Sequence, residues 1–201
     1  AWGRGGRVDY VLEGNINYAG AVITWLQKDL GLFESAKDTA AMVEAANPED
    51  TAYLVPAFSG LGAPYWNDGA KAVLTGMSRT TGKNEIVKAG LESIAYQVTD
   101  IVEAMNADSG VRLNELRVDG GPTGNPYLMQ FQSDMARARI CVQKAEELSA
   151  MGAAFLAGMG VGLYEESILA ADRLKRAYEP QMDEEIRNEK YDGWKQAVEK
   201  A

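Results

Sequence analysis

Between residues 84 and 105 apolar side chains return every three or four positions, at Ile86, Val87, Leu91, Ile94, Val98, Ile101, Val102 and Met105. That is the period of an α-helix with one buried stripe, and it is the strongest element in the pattern. A second stripe, Val22, Ile23, Leu26 and Leu30, runs through "YAGAVITWLQKDLGL" and meets Gly31 where a C-terminal cap belongs. "SAKDTAAMVEAAN" predicts a more polar helix stopped at Asn47-Pro48, and "PYLMQFQSDMA" predicts one that turns Leu128, Met129 and Phe131 inward. Short runs of strand character lie at residues 8–14, 53–55 and 72–77, in "LRVDGG" and in "RICVQ". Ser149 is placed to cap a further helix, whose Gly152, Ala153, Ala154, Ala157 and Gly158 would let its backbone approach a sheet closely. Residues 3–6 read as a Gly-rich turn, and residues 170–201 as charged helices parted at Tyr178-Glu179-Pro180.

Strands and helices alternate along the chain, which predicts an α/β layer architecture with helices covering a sheet. No linker and no internal repeat divides residues 1–201, so one domain is expected. Ligands in such folds gather beyond the carboxyl ends of strands. Residues 119–125 occupy that position.

Composition narrows the function. Hydrophobic residues make up 46% of the chain, enough for a proper core. With 29 acidic against 20 basic side chains and a formal net charge of -9, a nucleic-acid surface is not expected. Cys141 is the lone cysteine, so no internal disulfide forms, and a reducing cytoplasm is the expected setting. No charged start leads into an apolar core with a small-residue cleavage site, so no signal peptide is read. The apolar, glycine-containing run at residues 149–164 is too short for a membrane span, which needs about 20 apolar residues. Without histidine, the commonest general base and zinc ligand are missing, and acid-base chemistry must rest on carboxylates.

The candidate chemistry lies in "LRVDGGPTGNPYLMQFQSD". Gly120 and Gly121 can take positive φ and let a ligand approach the main chain. Asn125 is a candidate N-cap and Pro126 a first helical residue, which turns unpaired amides and a positive dipole end toward the loop. That arrangement suits an anion. Spacing alone leaves the bland alternative open, since Gly-Gly before a helix is also a common turn. Asp119 reads as a residue that holds the turn through backbone amides rather than a metal contact, Asp134 as a surface or capping charge, and Arg79 as solvated. Cys141 reads as a buried small hydrophobe. Ser59 in "AFSGLG" lacks the preceding glycine of a nucleophile elbow and has no histidine to serve it.

Five ordered blocks carry a resemblance: "YVLEGNINYAGAVITWL", "VPAFSGLGAPYW", "LESIAYQVTDIVEAMNADSGVRL", "LRVDGGPTGNPYLMQFQSD" and "SAMGAAFLAG". The chain resembles the C-terminal domain of the FGGY carbohydrate kinases, and among them the glycerol kinases. The resemblance implies an actin-like, ribonuclease H-like ATPase domain, with a mixed sheet flanked by helices and incomplete at its N-terminal hairpin. It implies ATP with Mg²⁺ as the phosphate donor, and glycerol or a related polyol or sugar as acceptor. The acceptor pocket and catalytic aspartate are expected in an N-terminal domain outside this chain, so the chain alone is not expected to turn over. Carried over residue by residue, the family's nucleotide contacts fall on Gly20, on Thr24, and on Gly121 and Asn125 in the loop that Gly120 opens. Thr24 departs from the glutamine usual at that position. A xylulose- or ribulose-type kinase and a non-catalytic actin-like nucleotide-binding module are the alternatives. Homo-oligomers are common in the family and are an expectation here; a membrane partner is not.

Overall fold

A computed structural model describes residues 2–4, 6–145, 147–170 and 173–201. The expected turn at residues 3–6 includes residue 5, and the expected tail helices include residues 171 and 172, all outside the described residues. Strands β1 (Trp2–Arg4) and β2 (Arg7–Asp9) form an antiparallel hairpin. The expected strand at 8–14 therefore stops at Asp9. Beyond it Tyr10, Val11 and Leu12 have strand chemistry but no ladder partner among the described residues, and they stand exposed.

Helix α1 (Gly20–Thr24) continues into a π-helical turn, Trp25–Asp29, before Gly31 reverses the chain at φ 62°. Val22 and Leu26 are fully buried as the stripe requires, whereas Leu30 is 45% exposed. The wider turn is the cause: the Leu30 amide donates to the Trp25 carbonyl, five residues back, which rotates Leu30 off the stripe. Helix α2 (Asp38–Glu44) follows, with Thr39 and Val43 buried one turn apart.

Strands β3 (Tyr53–Val55) and β4 (Val73–Thr75) pair antiparallel around a long loop, in which Leu61 and Asn67 exchange backbone hydrogen bonds. Helix α3 (Lys83–Ser109) then runs through the middle of the molecule, touching α1, α2 and β3 as well as the helix that follows. Every residue from Leu91 to Tyr96 is buried, so its polar positions must find partners inside. Most do: Ser93 donates to the Gly90 carbonyl and Glu92 accepts from the Tyr127 hydroxyl, and further along Thr99 donates to the Ala95 carbonyl and Asp100 accepts from Tyr191 and Trp194, whereas the Tyr96 hydroxyl finds none among the described residues.

The main sheet has three strands in the order β5 (Glu115–Val118), β6 (Arg139–Gln143), β7 (Leu174–Tyr178). The first pair is parallel and the second antiparallel, so the sheet is mixed. Helix α4 (Pro126–Ala136) links β5 to β6 and packs between the sheet and α3, with Leu128, Met129 and Phe131 buried as expected. The stretch 174–178, expected within a tail helix, is instead a strand. Paired along β6, its backbone completes a ladder that outweighs the weak helical preference of five residues. Helix α6 (Glu184–Val198) closes the chain, with Asp183 as its N-cap.

Helix α5 (Leu148–Gly160) corrects two further expectations. Ser149 lies inside the helix, and the amide of Leu148 at its start is held by the Asp119 carboxylate. Its small residues do not serve a close packing on the sheet, since Ala153, Ala154 and Ala157 are exposed and Gly158 is the buried position, covered by the Tyr164 ring.

Candidate functional site

Where β5 ends, the chain makes a defined loop. Gly120 sits at φ 87°, ψ 174°, residues Gly121–Gly124 form one 3₁₀ turn, and Thr123 Oγ1 donates to the Gly120 carbonyl at 2.7 Å. Asn125 caps α4, its Oδ1 accepting the Leu128 amide at 3.0 Å, and Pro126 is the first helical residue. The expected cap is therefore present, and the first turn of α4 opens toward the loop. Positive φ occurs at Gly120, whereas Gly121 lies outside the left-handed region.

The loop forms one wall of a cavity of about 430 Å³. Gly20, Ile23, Thr39, Leu91, Gly121 and Asn125 are among its lining residues, drawn from α1, α2, α3 and the loop before α4. Ile23, Leu91 and Leu128 make it largely apolar, and Lys37 is its one charged lining residue among those described. An apolar slot of this size with few polar groups is the usual form of a small-ligand site. At its edge, Asn125 Nδ2 donates to Thr39 Oγ1 at 3.0 Å, while that hydroxyl donates to the Ala36 carbonyl at 2.6 Å.

Of the residues expected to bind a ligand, the fold brings Gly20, Gly121 and Asn125 to this cavity, although the first is about a hundred positions from the others. Gly120 shapes the loop without lining the space. Thr24 is exposed, does not line the cavity, and has its hydroxyl on the Gly20 carbonyl at 3.2 Å. Thr39 is the residue the sequence reading missed. Its signal was its spacing: four positions before Val43, it falls on the buried stripe of α2.

The two glycines have no structural need to be glycine. Neither Gly20 nor Gly121 has positive φ, and a Cβ built on either meets no other atom within 4 Å. Gly90 differs, since its Cβ would lie 2.5 Å from Leu26 Cδ1. Positions 20 and 121 are both exposed and both line the cavity, so a side chain at either would enter that space rather than strike the chain.

A second opening, lined by Tyr65, Asp100, Glu103, Arg187, Tyr191 and Lys195, has its polar groups already spent. Asp100 accepts from the Tyr191 hydroxyl at 2.7 Å and Trp194 Nε1 at 2.8 Å, and Arg187 donates to the Met135 carbonyl and to Glu103. Burial pushes the Asp100 carboxyl above the usual carboxylate range against those hydrogen bonds. Asp134, expected as a surface or capping charge, is buried and accepts the backbone amides of Gln181 and Met182. Arg79 is exposed, and Cys141 is buried, its thiol pushed up by desolvation.

Residues 3–161 match the FGGY family of carbohydrate kinases, C-terminal domain. The chain belongs to this family. It is 46% identical over 200 residues to a glycerol kinase of Brevibacillus brevis, covering 98% of this chain and 40% of that protein. A glycerol kinase of Carboxydothermus hydrogenoformans is 46% identical over 203 residues, covering 100% of this chain and 41% of the relative. Among solved structures, Plasmodium falciparum glycerol kinase with ADP superposes with a TM-score of 0.80 at 36% identity, over 90% of this chain and 36% of that one. A xylulose kinase from Rhodospirillum rubrum, at 20% identity and a TM-score of 0.71, shares the fold. The chain thus spans about 40% of the length of the curated relatives it matches. Its mixed α/β architecture is that of the FGGY kinases' C-terminal domain, the actin-like ATPase fold.

Proposed function

We propose that this chain is the nucleotide-binding, C-terminal domain of a two-domain kinase that passes the γ-phosphate of ATP to a hydroxyl of glycerol. The observation that carries the reading is the pair Gly20 and Gly121, two glycines that line one largely apolar cavity and that neither φ nor packing requires. A flat, largely apolar base suits this cavity, with the loop at 120–125 and the first turn of α4 beside it. The solved relative with ADP and the glycerol kinases at 46% identity support the donor and the acceptor in turn.

In this reading Gly20, Gly121 and Asn125 contact the nucleotide, Gly120 sets the loop, and Thr24 contributes by closing α1 on the Gly20 carbonyl. Among the described residues no group of three or more acidic or cysteine side chains converges into a metal site. Mg²⁺ enters this reading with the phosphates of ATP, as the resemblance implies, and no step is assigned through it. Phosphoryl transfer depends on bringing donor and acceptor together, and in this reading the acceptor pocket and catalytic carboxylate belong to the other domain. No helix among the described residues is long and apolar enough to cross a membrane.

Calorimetric titration with ADP tests the binding half. Saturable binding that ATP competes away is the expected result, and heats of dilution alone at millimolar ADP would overturn it. For the transfer half, the intact protein should release ADP when given glycerol and ATP, whereas the 201-residue chain should bind without releasing it. Release with xylulose but not with glycerol would reassign the acceptor.

A further inference from the structure

We propose that Thr39 is a positioning residue for Asn125, fixing its carboxamide so that one N–H is left for an acceptor atom on the base of the bound nucleotide. The proposal rests on the nucleotide reading of the cavity, and deepens it. Asn125 makes two hydrogen bonds, and each constrains the orientation of the amide. The Leu128 backbone N–H can only donate, so the atom facing it must be Oδ1, at 3.0 Å. On the other side stands Thr39 Oγ1, at 3.0 Å from Nδ2. A hydroxyl ordinarily gives or takes a hydrogen bond, which would permit either orientation of the amide. Here its proton goes to the Ala36 carbonyl at 2.6 Å, leaving only lone pairs toward Asn125.

The two constraints agree, and together they forbid the flipped amide. Flipping would place Nδ2 against the Leu128 N–H and Oδ1 against the Thr39 lone pairs, a donor on a donor and an acceptor on an acceptor. Thr39 is 2% exposed, so water does not readily replace it. One of the two Nδ2 hydrogens is thereby used, and the second remains for a ligand in the cavity that both residues line. A ring nitrogen of a purine is an acceptor of the required kind. Thr39 itself need not touch the nucleotide.

The test uses the intact protein, with ADP as the binding probe and ATP as the varied substrate. Thr39→Val keeps the shape of the side chain and removes the acceptor. It is expected to raise the Kd for ADP and the KM for ATP about tenfold, the scale of one lost buried hydrogen bond, with kcat changed less than twofold. Thr39→Ser restores the hydroxyl and should restore both constants to within about threefold. In an Asn125→Ala background, adding Thr39→Val should cost little further affinity, because the group that Thr39 holds is gone. Where Thr39→Val does not fold, Thr39→Cys, with similar size and a poor acceptor, takes its place. Wild-type affinity in a folded Thr39→Val, a fall in kcat with KM unchanged, or a full additional loss in the Asn125→Ala background would each overturn the role. If the wild-type protein fails to bind ADP, the nucleotide reading is what has failed, and the positioning role falls with it.

Discussion

At Gly121 a methyl group would touch nothing in the folded chain, so alanine there should leave the fold intact and intrude only on a ligand. Gly121→Ala is expected to shift the thermal midpoint by less than about 2 °C while weakening ADP binding by about tenfold or more, read by calorimetry. Gly90→Ala should do the reverse. Its Cβ would lie 2.5 Å from Leu26 Cδ1, and Leu26 is fully buried, so a loss of roughly 1–3 kcal/mol is expected, as for other overpacked cores. Glu92 offers a test by pH. Its carboxyl is buried on α3 and accepts from the Tyr127 hydroxyl, and desolvation raises its pKa despite Lys190, that hydrogen bond and Lys88. Below the unfolded value of about 4.3 both states hold the proton and the group contributes nothing. As pH rises from there toward the higher folded value, the native state binds more protons than the unfolded one, so stability falls with pH. Glu92→Gln, which keeps the acceptor and removes the charge, should therefore be more stable than wild type at pH 7 and show a shallower decline in urea midpoint above about pH 5. Asp100, raised in the same sense, keeps some slope in that variant. An unchanged pH dependence would show that Glu92 does not titrate differently on folding.

Among the elements, α3 and α5 are in opposite situations: the amphipathic α3 is largely buried, and the apolar α5 has Gly158 as its buried position. Helix α3 packs against α1, α2, α4 and β3, and its periodicity was legible because Val87, Leu91, Ile94, Ile101 and Val102 of the stripe are buried, although in the middle the burial extends all round. The sequence also revealed α4 and its Asn125 cap, since capping chemistry acts within four residues. It could not reveal the π-turn at Trp25–Asp29, whose i to i+5 bonds use the same residue types as an α-helix, or strand β7, which exists because β6 lies beside it. Helix α5 misled for a related reason: small residues permit a close approach without requiring one. Its start is tied to the sheet by one long-range bond, Asp119 Oδ2 accepting the Leu148 amide at 2.9 Å. Asp119→Ala should therefore speed amide exchange in the first turn of α5 roughly tenfold while leaving α3 protected, as followed by hydrogen exchange and mass spectrometry. Equal acceleration in α3 would mean that Asp119 supports the whole fold instead.

On the scale of the molecule, the site needed three separate stretches, around residues 20, 39 and 121–125, to converge on one cavity. The loop could be suspected from its own letters and Gly20 from the family resemblance, but Thr39 could be connected to Asn125 only by the fold. The same assembly leaves apolar side chains uncovered at several places, and residues 10–12 and 161–163 are two of them. Tyr10, Val11 and Leu12 are 83%, 74% and 57% exposed, and Val161 and Leu163 just past α5 are 74% and 75% exposed. Single exposed apolar residues are ordinary, but runs of them are not, and they favour association or dye binding. The net charge of -9 opposes association through long-range repulsion, which salt screens. The 201-residue chain should therefore bind a hydrophobic dye such as ANS while keeping a cooperative thermal transition, which separates local exposure from a molten core. Sedimentation should show more self-association at 0.5 M than at 0.05 M salt, because screening removes the repulsion and leaves the apolar contacts in place. Charged substitutions at Val11 and Leu163 should reduce both the dye signal and the association without lowering the thermal midpoint, since neither side chain is in the core. A dye signal that persists in the doubly charged variant would place the exposed surface elsewhere.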